Sequence, residues 1–441
     1  MTQTIKTITP LQDHGQTVES LCGRDKSLTH RAIMFSSLAS GKSTIYSPLL
    51  GADCRSTMDC FRALGVSFSI EDDKILVSSP GWRNFKNPKE DLDCGNSGTT
   101  ARLLTGLFAS MPGLRCTLIG DESLSKRPMG RVTEPLRAIG GHYDGPDHGQ
   151  TLPLTIEGQE LRAAKHHIDK ATAQVKSAIL LAGLQIDGQT EVSLPKGSRD
   201  HTENMLRALG ADCQTSIKGD VETVRLQGPF TIPSGNYHIP VDPSSAAFFA
   251  VLGLIRPKGR TVIQSMLDNP TRTGFFEVLG RMSDRLLKKP SESSDVSVEP
   301  TVDLEVEGSF PISGVEIEEA LVPTLVDEIP ILAVAAAFAK TPSHFKGLGE
   351  LRVKESDRLE KTYELLTLAG CTCSIQGDDL FIQGGLSQSK VFTYDSEGDH
   401  RLAMAGAIMA KFAQGPCKII DPDCVAVSFP NFYEELDKFE S

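Results

Sequence analysis

The chain has 441 residues, 39% hydrophobic and 23% charged, and its 45 Lys+Arg against 57 Asp+Glu give a formal net charge of −12. This composition excludes a wholly disordered, collagen-like or disulfide-dense protein. The acidic balance excludes the broad basic footprint of a non-specific nucleic-acid binder. At about 150 residues per domain, length alone suggests roughly three domains, or equally two large ones.

The opening residues, Met1-Thr2-Gln3-Thr4-Ile5-Lys6, are polar and lack the apolar core of a secretory signal. The longest apolar run, Ile331 to Ala339, falls far short of the ~20 residues that cross a bilayer. Ten cysteines are scattered without a C-x-x-C pair, which disfavours zinc and thioredoxin-like chemistry. Free thiols in a reducing cytoplasm are the expectation.

Two markers then recur along the chain. The first is a small polar or acidic residue followed by an Ala/Leu-rich helix, and a helix without a polar face is buried. Six copies begin near Ser27, Ser97, Thr172, Ser244, Asp327 and Asp399. Glycine-marked turns and β-rich segments follow, as at Gly41, Gly188 and Gly259. The second marker is an amphipathic helix closed by glycine, at Gly65, Gly140, Gly210, Gly280 and Gly370, where a C′ residue with φ > 0 is wanted. Between them, Lys288 to Thr301 reads as a loop or a divergent hairpin. Six units in 441 residues average about 73 each, too large for a thin solenoid, and three around each of two cores give two α/β domains.

Two segments imitate other chemistry. Ser40-Gly41-Lys42-Ser43-Thr44 resembles the end of a phosphate-binding loop, but Ser36 stands where the first glycine belongs and a helix precedes it, so a turn is expected. Cys116 has strand-like flanks and reads as a buried thiol rather than a nucleophile.

The starts of the buried helices carry the polarity: Asp25-Lys26-Ser27 with Arg31, Gly95-Asn96-Ser97-Gly98-Thr99 with Arg102, Thr172-Ala173-Gln174, Asp327-Glu328 and Asp399-His400-Arg401. Helix N-termini present free N–H groups and suit phosphates and carboxylates. Ser, Thr and Asp are also ordinary caps. Lysine and arginine in a first turn are not, because they oppose the helix dipole, so they point to a bound anion. Two further cationic stretches are Lys126-Arg127-Pro128-Met129-Gly130-Arg131 and Leu351 to Arg358. If the latter is helical, Lys354 and Arg358 share a face, with Glu355 beside them for proton transfer.

These motifs, with Gln174-Val175-Lys176-Ser177-Ala178, Ser198-Arg199-Asp200-His201-Thr202-Glu203 and Asp242-Pro243-Ser244-Ser245-Ala246, cover nearly the whole chain. In this order the sequence resembles the 5-enolpyruvylshikimate-3-phosphate synthases (3-phosphoshikimate 1-carboxyvinyltransferases) of the enolpyruvyl transferase family. The resemblance implies an α/β, two-domain enolpyruvyl-transferase fold of six βαβαββ repeats, three per domain, with the active site in the interdomain cleft. Residues 24–240 would form one domain carrying most of the shikimate 3-phosphate site, and 1–23 with 241–441 the other. The implied reaction moves the enolpyruvyl group of phosphoenolpyruvate to the 5-hydroxyl of shikimate 3-phosphate and releases phosphate, by addition and elimination through a tetrahedral intermediate. It implies no metal, no organic cofactor, no nucleic-acid or membrane partner, a monomer, and a glyphosate target in aromatic amino acid biosynthesis.

Carried over residue by residue, the resemblance gives shikimate 3-phosphate to Lys26, Ser27, Arg31, Thr172, Ala173, Gln174, Ser198, Asp327 and Lys354. Phosphoenolpyruvate falls to Lys26, Asn96, Gly98, Arg127, Gln174, Arg358 and Arg401. Asp327 would be the base for the 5-hydroxyl, and Glu355, with Lys26, the acid for the methylene carbon. The chain departs from the family's usual pattern at Gly23-Arg24, at Thr172-Ala173, at Ala101 and at Val427, so no C-terminal lysine is assigned. The sister transferase acting on UDP-N-acetylglucosamine has Lys-Asn at Lys26-Ser27 and a loop cysteine closer to Arg-Pro than Cys116 is to Arg127. A non-catalytic anion binder is the other alternative, opposed by the presence of Asp327, Lys354 and Glu355.

Overall fold

The computed structural model describes residues 4–12, 14–291, 299–308 and 311–440. The six Ala/Leu-rich helices form as Lys26–Leu38, Gly98–Ala109, Ala173–Gly183, Pro243–Ile255, Ile329–Ala337 and His400–Ala410. Every residue of Pro243–Ile255 and of Ile329–Ala337 is buried, as an all-round apolar helix must be. Asp25, Ser97, Asp242 and Asp399 cap their helices by accepting a backbone N–H. Ile329–Ala337 begins differently, from a short 3-10 turn, Val326–Glu328, with Pro330 in its first turn.

The exposed helices end as their glycines require at four positions. Gly65, Gly140, Gly210 and Gly370 have φ of 103°, 114°, 92° and 89°. Gly280 departs from the expectation: it lies inside helix Gly274–Met282, because the amphipathic pattern runs on to the buried Met282. The segment from Ser40 is likewise not a turn. Ala39 leaves the helix in an extended conformation and the chain runs directly into strand Ser40–Tyr46, whose Ser43 and Ile45 point inward.

Each sheet follows one plan. In five four-stranded sheets an edge strand pairs in parallel with a second strand, which then pairs antiparallel with a third and the third with a fourth. Leu92–Asp93 and Arg115–Ile119 show the simplest connection, joined through the buried helix Gly98–Ala109 as a βαβ unit. A sixth sheet has three strands, with Ile5–Ile8 antiparallel to Cys417–Ile420 in place of the hairpin.

The described chain divides into two compact units: residues up to Arg24 and from Pro240 on, and Asp25–Ile239 together with Glu299. The strand pairing explains the discontinuity. Thr17–Glu19 is the parallel edge of the sheet after helix Pro243–Ile255, whereas Asn236–His238 is the parallel edge of the sheet after helix Lys26–Leu38. Each unit thus completes its first sheet with a strand from a distant part of the chain. The first unit closes around the helices Pro243–Ile255, Ile329–Ala337 and His400–Ala410 in one apolar core. In the second unit Gly106 lets two buried helices approach: a Cβ there would lie 2.1 Å from the Ala178 carbonyl oxygen. Leu286–Pro290 and Thr301–Glu307 form the divergent hairpin, and residues 292–298 of that segment lie outside the described residues. Cys116 is buried on strand Arg115–Ile119, and burial pushes its thiol up to about 12.

Candidate active site

In the second unit side chains tie together three helices, Lys26–Leu38, Ala52–Ala63 and Gly98–Ala109. His30 Nδ1 lies 2.8 Å from Thr57 Oγ1, Thr57 Oγ1 lies 2.7 Å from Thr100 Oγ1, and Thr100 donates to Ser97 Oγ at 2.7 Å. Burial, then the charge of Lys26, pushes His30 down to about 3, so this buried relay holds a neutral imidazole. Close packing at Gly106 aligns the next pair of helices. Arg102 Nη1 then reaches Gln174 Oε1 at 2.6 Å, and Gln174 Nε2 donates to Thr99 Oγ1 at 3.2 Å.

The predicted anion residues of this unit fall around the starts of these helices. Lys26, the first residue of its helix, pairs with Asp53 at 2.6 Å. Ser27 gives its carbonyl to Arg31 Nη1 at 3.0 Å. Arg31 is buried, with Nε donating to Thr202 Oγ1 at 2.7 Å and Nη2 to Ser177 Oγ at 2.9 Å. Thr172 is an N-cap whose hydroxyl makes no cap hydrogen bond, and Ala173 and Gln174 form the first turn after it. Ser198 is buried and its hydroxyl has no hydrogen-bond partner among the described residues.

Asn96 is held from two sides. It donates to Asp121 Oδ2 at 2.6 Å and accepts from Arg127 Nη2 at 2.8 Å. Gly98 opens its helix directly beneath Arg102, whose Nη1 would lie 2.7 Å from a Cβ at that position. Arg102 itself is pushed down to about 10, first by desolvation and then by the like charges of Arg127 and Arg131. Three guanidinium groups that repel one another form a place where an anion is stabilised.

In the first unit the chemistry centres on a buried arginine. Arg358 is 1% exposed and engages three carboxylates: Nε with Asp399 Oδ2 at 2.7 Å, Nη1 with Asp327 Oδ1 at 3.1 Å, Nη2 with Glu355 Oε2 at 2.6 Å. Desolvation opposes its charge, but Asp399, Glu355 and Asp327 together hold the guanidinium above its usual range. Arg401 approaches the other Asp327 oxygen at 3.5 Å and takes its backbone carbonyl at 3.4 Å. Desolvation would raise the Glu355 carboxyl, but Arg358, a backbone hydrogen bond and Arg401 together hold the group below the usual carboxylate range.

Lys354 departs from the expected arrangement. The helix begins only at Arg358, and Lys354 lies in extended backbone after the 3-10 turn Gly349–Val353. Asp357 is the reason: its side chain accepts from Glu360 N and sets the helix start there. Lys354 and Arg358 therefore share no helix face, and Lys354 pairs with Glu350 at 2.5 Å.

Several partners escaped the sequence reading. Asp53 and Asp121 have no motif around them, and only their contacts reveal them. Ser177, Thr202 and Glu203 lie inside quoted motifs without an assigned role. Glu328 is buried and accepts a hydrogen bond from Ser244, which also receives Arg272 Nη2 at 3.1 Å. Burial, then the neighbouring Asp327, raises its carboxyl against the influence of Arg401 and Arg272.

Comparison with known proteins identifies the family. The family model for EPSP synthase (3-phosphoshikimate 1-carboxyvinyltransferase) matches residues 15–436. A 3-phosphoshikimate 1-carboxyvinyltransferase of Bacillus cereus (strain G9842) is 42% identical over 414 residues, 94% of each chain. The structure of an EPSP synthase from Acinetobacter baumannii is similar with a TM-score of 0.90 and 35% identity, covering 100% of this chain and 98% of that one. The enolpyruvyl transferase NikO from Streptomyces tendae shares the fold, with a TM-score of 0.73 at 16% identity over 99% of this chain and 97% of that one. The chain belongs to the EPSP synthase family.

Proposed function

We propose that the protein is a 3-phosphoshikimate 1-carboxyvinyltransferase, moving the enolpyruvyl group of phosphoenolpyruvate to the 5-hydroxyl of shikimate 3-phosphate with release of phosphate. The 42% identity across 94% of the chain carries this reading. The cation-lined helix starts support it physically, because both substrates are anions and neither has its charge neutralised in solution. Fixed donors and guanidinium groups lower the cost of bringing them together and of building charge in the addition step.

In this reading Ser27, Arg31, Thr172, Ala173, Gln174 and Ser198 bind shikimate 3-phosphate, together with Lys354. Asn96, Gly98, Arg127, Arg358 and Arg401 bind phosphoenolpyruvate, Lys26 serves both substrates, and Gln174 touches both. Asp327 takes the proton of the 5-hydroxyl, supported by the two guanidinium groups beside its oxygens. Glu355, with Lys26, supplies the proton to the methylene carbon. Glu355 is favoured as a carboxylate while Arg358 holds it, so its acid role needs substrate to draw Arg358 away.

The discontinuous units are proposed as the two domains of the family, three repeats in each. The protein is proposed to work as a cytoplasmic monomer on small molecules. Among the described residues no helix is long and apolar enough to cross a membrane, and the ten cysteines are free thiols. A coupled assay of phosphate release from phosphoenolpyruvate, with and without shikimate 3-phosphate, tests the activity. Release only when both are present is expected. Binding of both without release would establish a non-catalytic protein.

A further inference from the structure

Behind Arg31 lies a cluster of buried charge that the reaction itself does not use. Lys176 Nζ is 2.6 Å from Glu203 Oε1 and 2.6 Å from Glu222 Oε1, and the first two side chains are 0% exposed. Lys176 belongs to helix Ala173–Gly183, Glu203 to helix His201–Ala208, and Glu222 to strand Val221–Gly228. The cluster therefore joins three elements at one point.

The residues adjacent in sequence to this cluster are the ones that grip Arg31. Ser177 follows Lys176, and Thr202 precedes Glu203. Their hydroxyls are 2.8 Å apart, and they receive Arg31 Nη2 and Nε. Burial pushes the Arg31 guanidinium down, and Glu203 is the largest influence opposing that. Lys176 thus lies between two carboxylates, one of which, Glu203, also acts on Arg31. Such a cluster is a poor device for stability, since well-packed apolar residues serve at least as well. Its geometry does fix the start of one helix against the start of another.

We propose that Lys176, Glu203 and Glu222 form a positioning cluster that, through Ser177 and Thr202, holds Arg31 and the turn Thr172-Ala173-Gln174 in the geometry that binds shikimate 3-phosphate. The proposal rests on the assignment of Arg31 to that substrate. The three cluster residues touch no substrate; they act through Arg31 and the helix start.

Steady-state kinetics with each substrate varied in turn test it, with Arg31→Ala as the separate test of the underlying assignment. Ser177→Ala combined with Thr202→Val removes only the two hydroxyls. It should raise KM for shikimate 3-phosphate about tenfold, the equivalent of one hydrogen bond to a charged group, with KM for phosphoenolpyruvate changed by less than about twofold. Glu203→Gln should give the same split, and Glu203→Asp should recover most of it. Equal rises in both KM values, or no change in either, would overturn the proposal. If Glu203→Gln fails to fold, the hydroxyl pair decides alone. Should Arg31→Ala leave KM for shikimate 3-phosphate unchanged, the assignment of Arg31 falls. If Arg31→Ala weakens that substrate and the cluster variants do not, only the positioning role falls.

Discussion

The two units surround their arginines with different chemistry. In the second unit Arg31, Arg102 and Arg127 rest on hydroxyls, amides and backbone carbonyls. In the first, Arg358 and Arg401 face Asp327, Asp399 and Glu355. A guanidinium held by neutral groups keeps its charge available for an incoming anion. One held by carboxylates is already neutralised, but it keeps those carboxylates ionised and oriented. The second unit thus presents cations with neutral partners, and the first presents ionised carboxylates oriented around its arginines. Lys26, paired with Asp53, is the exception among the helix-start cations of the second unit, and it is also the residue there assigned to the chemistry.

The strongest way to break this contrast is Asp327→Ala. It removes the proposed base and releases one edge of Arg358 and of Arg401. Turnover should fall by about a thousandfold, within the range for loss of a general base. The freed cations should leave KM for phosphoenolpyruvate unchanged or lower. Near-normal turnover in this variant would remove Asp327 from the mechanism. Gly98→Ala attacks the other side of the contrast. Its Cβ would meet Arg102 Nη1 at 2.7 Å, the mobile end of a side chain, so the guanidinium must shift off Gln174. KM for phosphoenolpyruvate should rise by about tenfold or less, the equivalent of one charged hydrogen bond. Inhibition by glyphosate should weaken in the same variant, and an unchanged inhibition curve would show that Gly98 does not border that site.

The helix-start cations and the acids Asp327, Glu355 and Asp399 were legible in the sequence, and which groups pair with which was not. Lys26, Arg31 and Arg102 stood out because cations at helix starts oppose the dipole, a local property that spacing exposes. The buried helices were legible for the same reason, since their lack of a polar face is written in consecutive residues. Pairing across the fold has no such signature. Asp53 and Asp121 are ordinary surface acids until the chain brings them to Lys26 and Asn96. Lys354 was misread because helical spacing alone ignores a cap: Asp357 starts the helix one residue later and turns Lys354 toward Glu350. Gly280 was misread for the opposite reason, a helix that continues past its glycine to bury Met282.

Glu328 sharpens the contrast through pH. Its carboxyl is raised by burial and by Asp327, so native protein keeps the proton where unfolded chain has lost it. Below the ordinary carboxylate range, about pH 4.3, both states are protonated and Glu328→Gln should match wild type. As pH rises through that range the unfolded chain ionises first, which draws wild type toward unfolding. The variant cannot ionise, so it should be the more stable protein, with an advantage that grows until native Glu328 ionises and then stays constant. Denaturant unfolding of both proteins across pH measures this. A variant less stable at neutral pH than in acid, relative to wild type, would reverse the assigned direction.

The smallest expected effect concerns Lys354, a first-unit cation whose carboxylate partner, Glu350, lies outside the Arg358 cluster. Its pair with Glu350 is open to water, with side chains 23% and 57% exposed, and such pairs contribute about 0–1 kcal/mol. Glu350→Gln should therefore barely change thermal stability. If the division between the units holds, the change should appear in binding instead. Freed from its carboxylate, Lys354 gains the character of the second unit's cations, and KM for shikimate 3-phosphate should fall by about two- to threefold, within the range of one exposed charge pair. Added salt should erase the difference by screening it. A rise in KM would mean that Glu350 orients Lys354 rather than competing for it, and the pair would then belong with Arg358 and its carboxylates as a device for holding geometry.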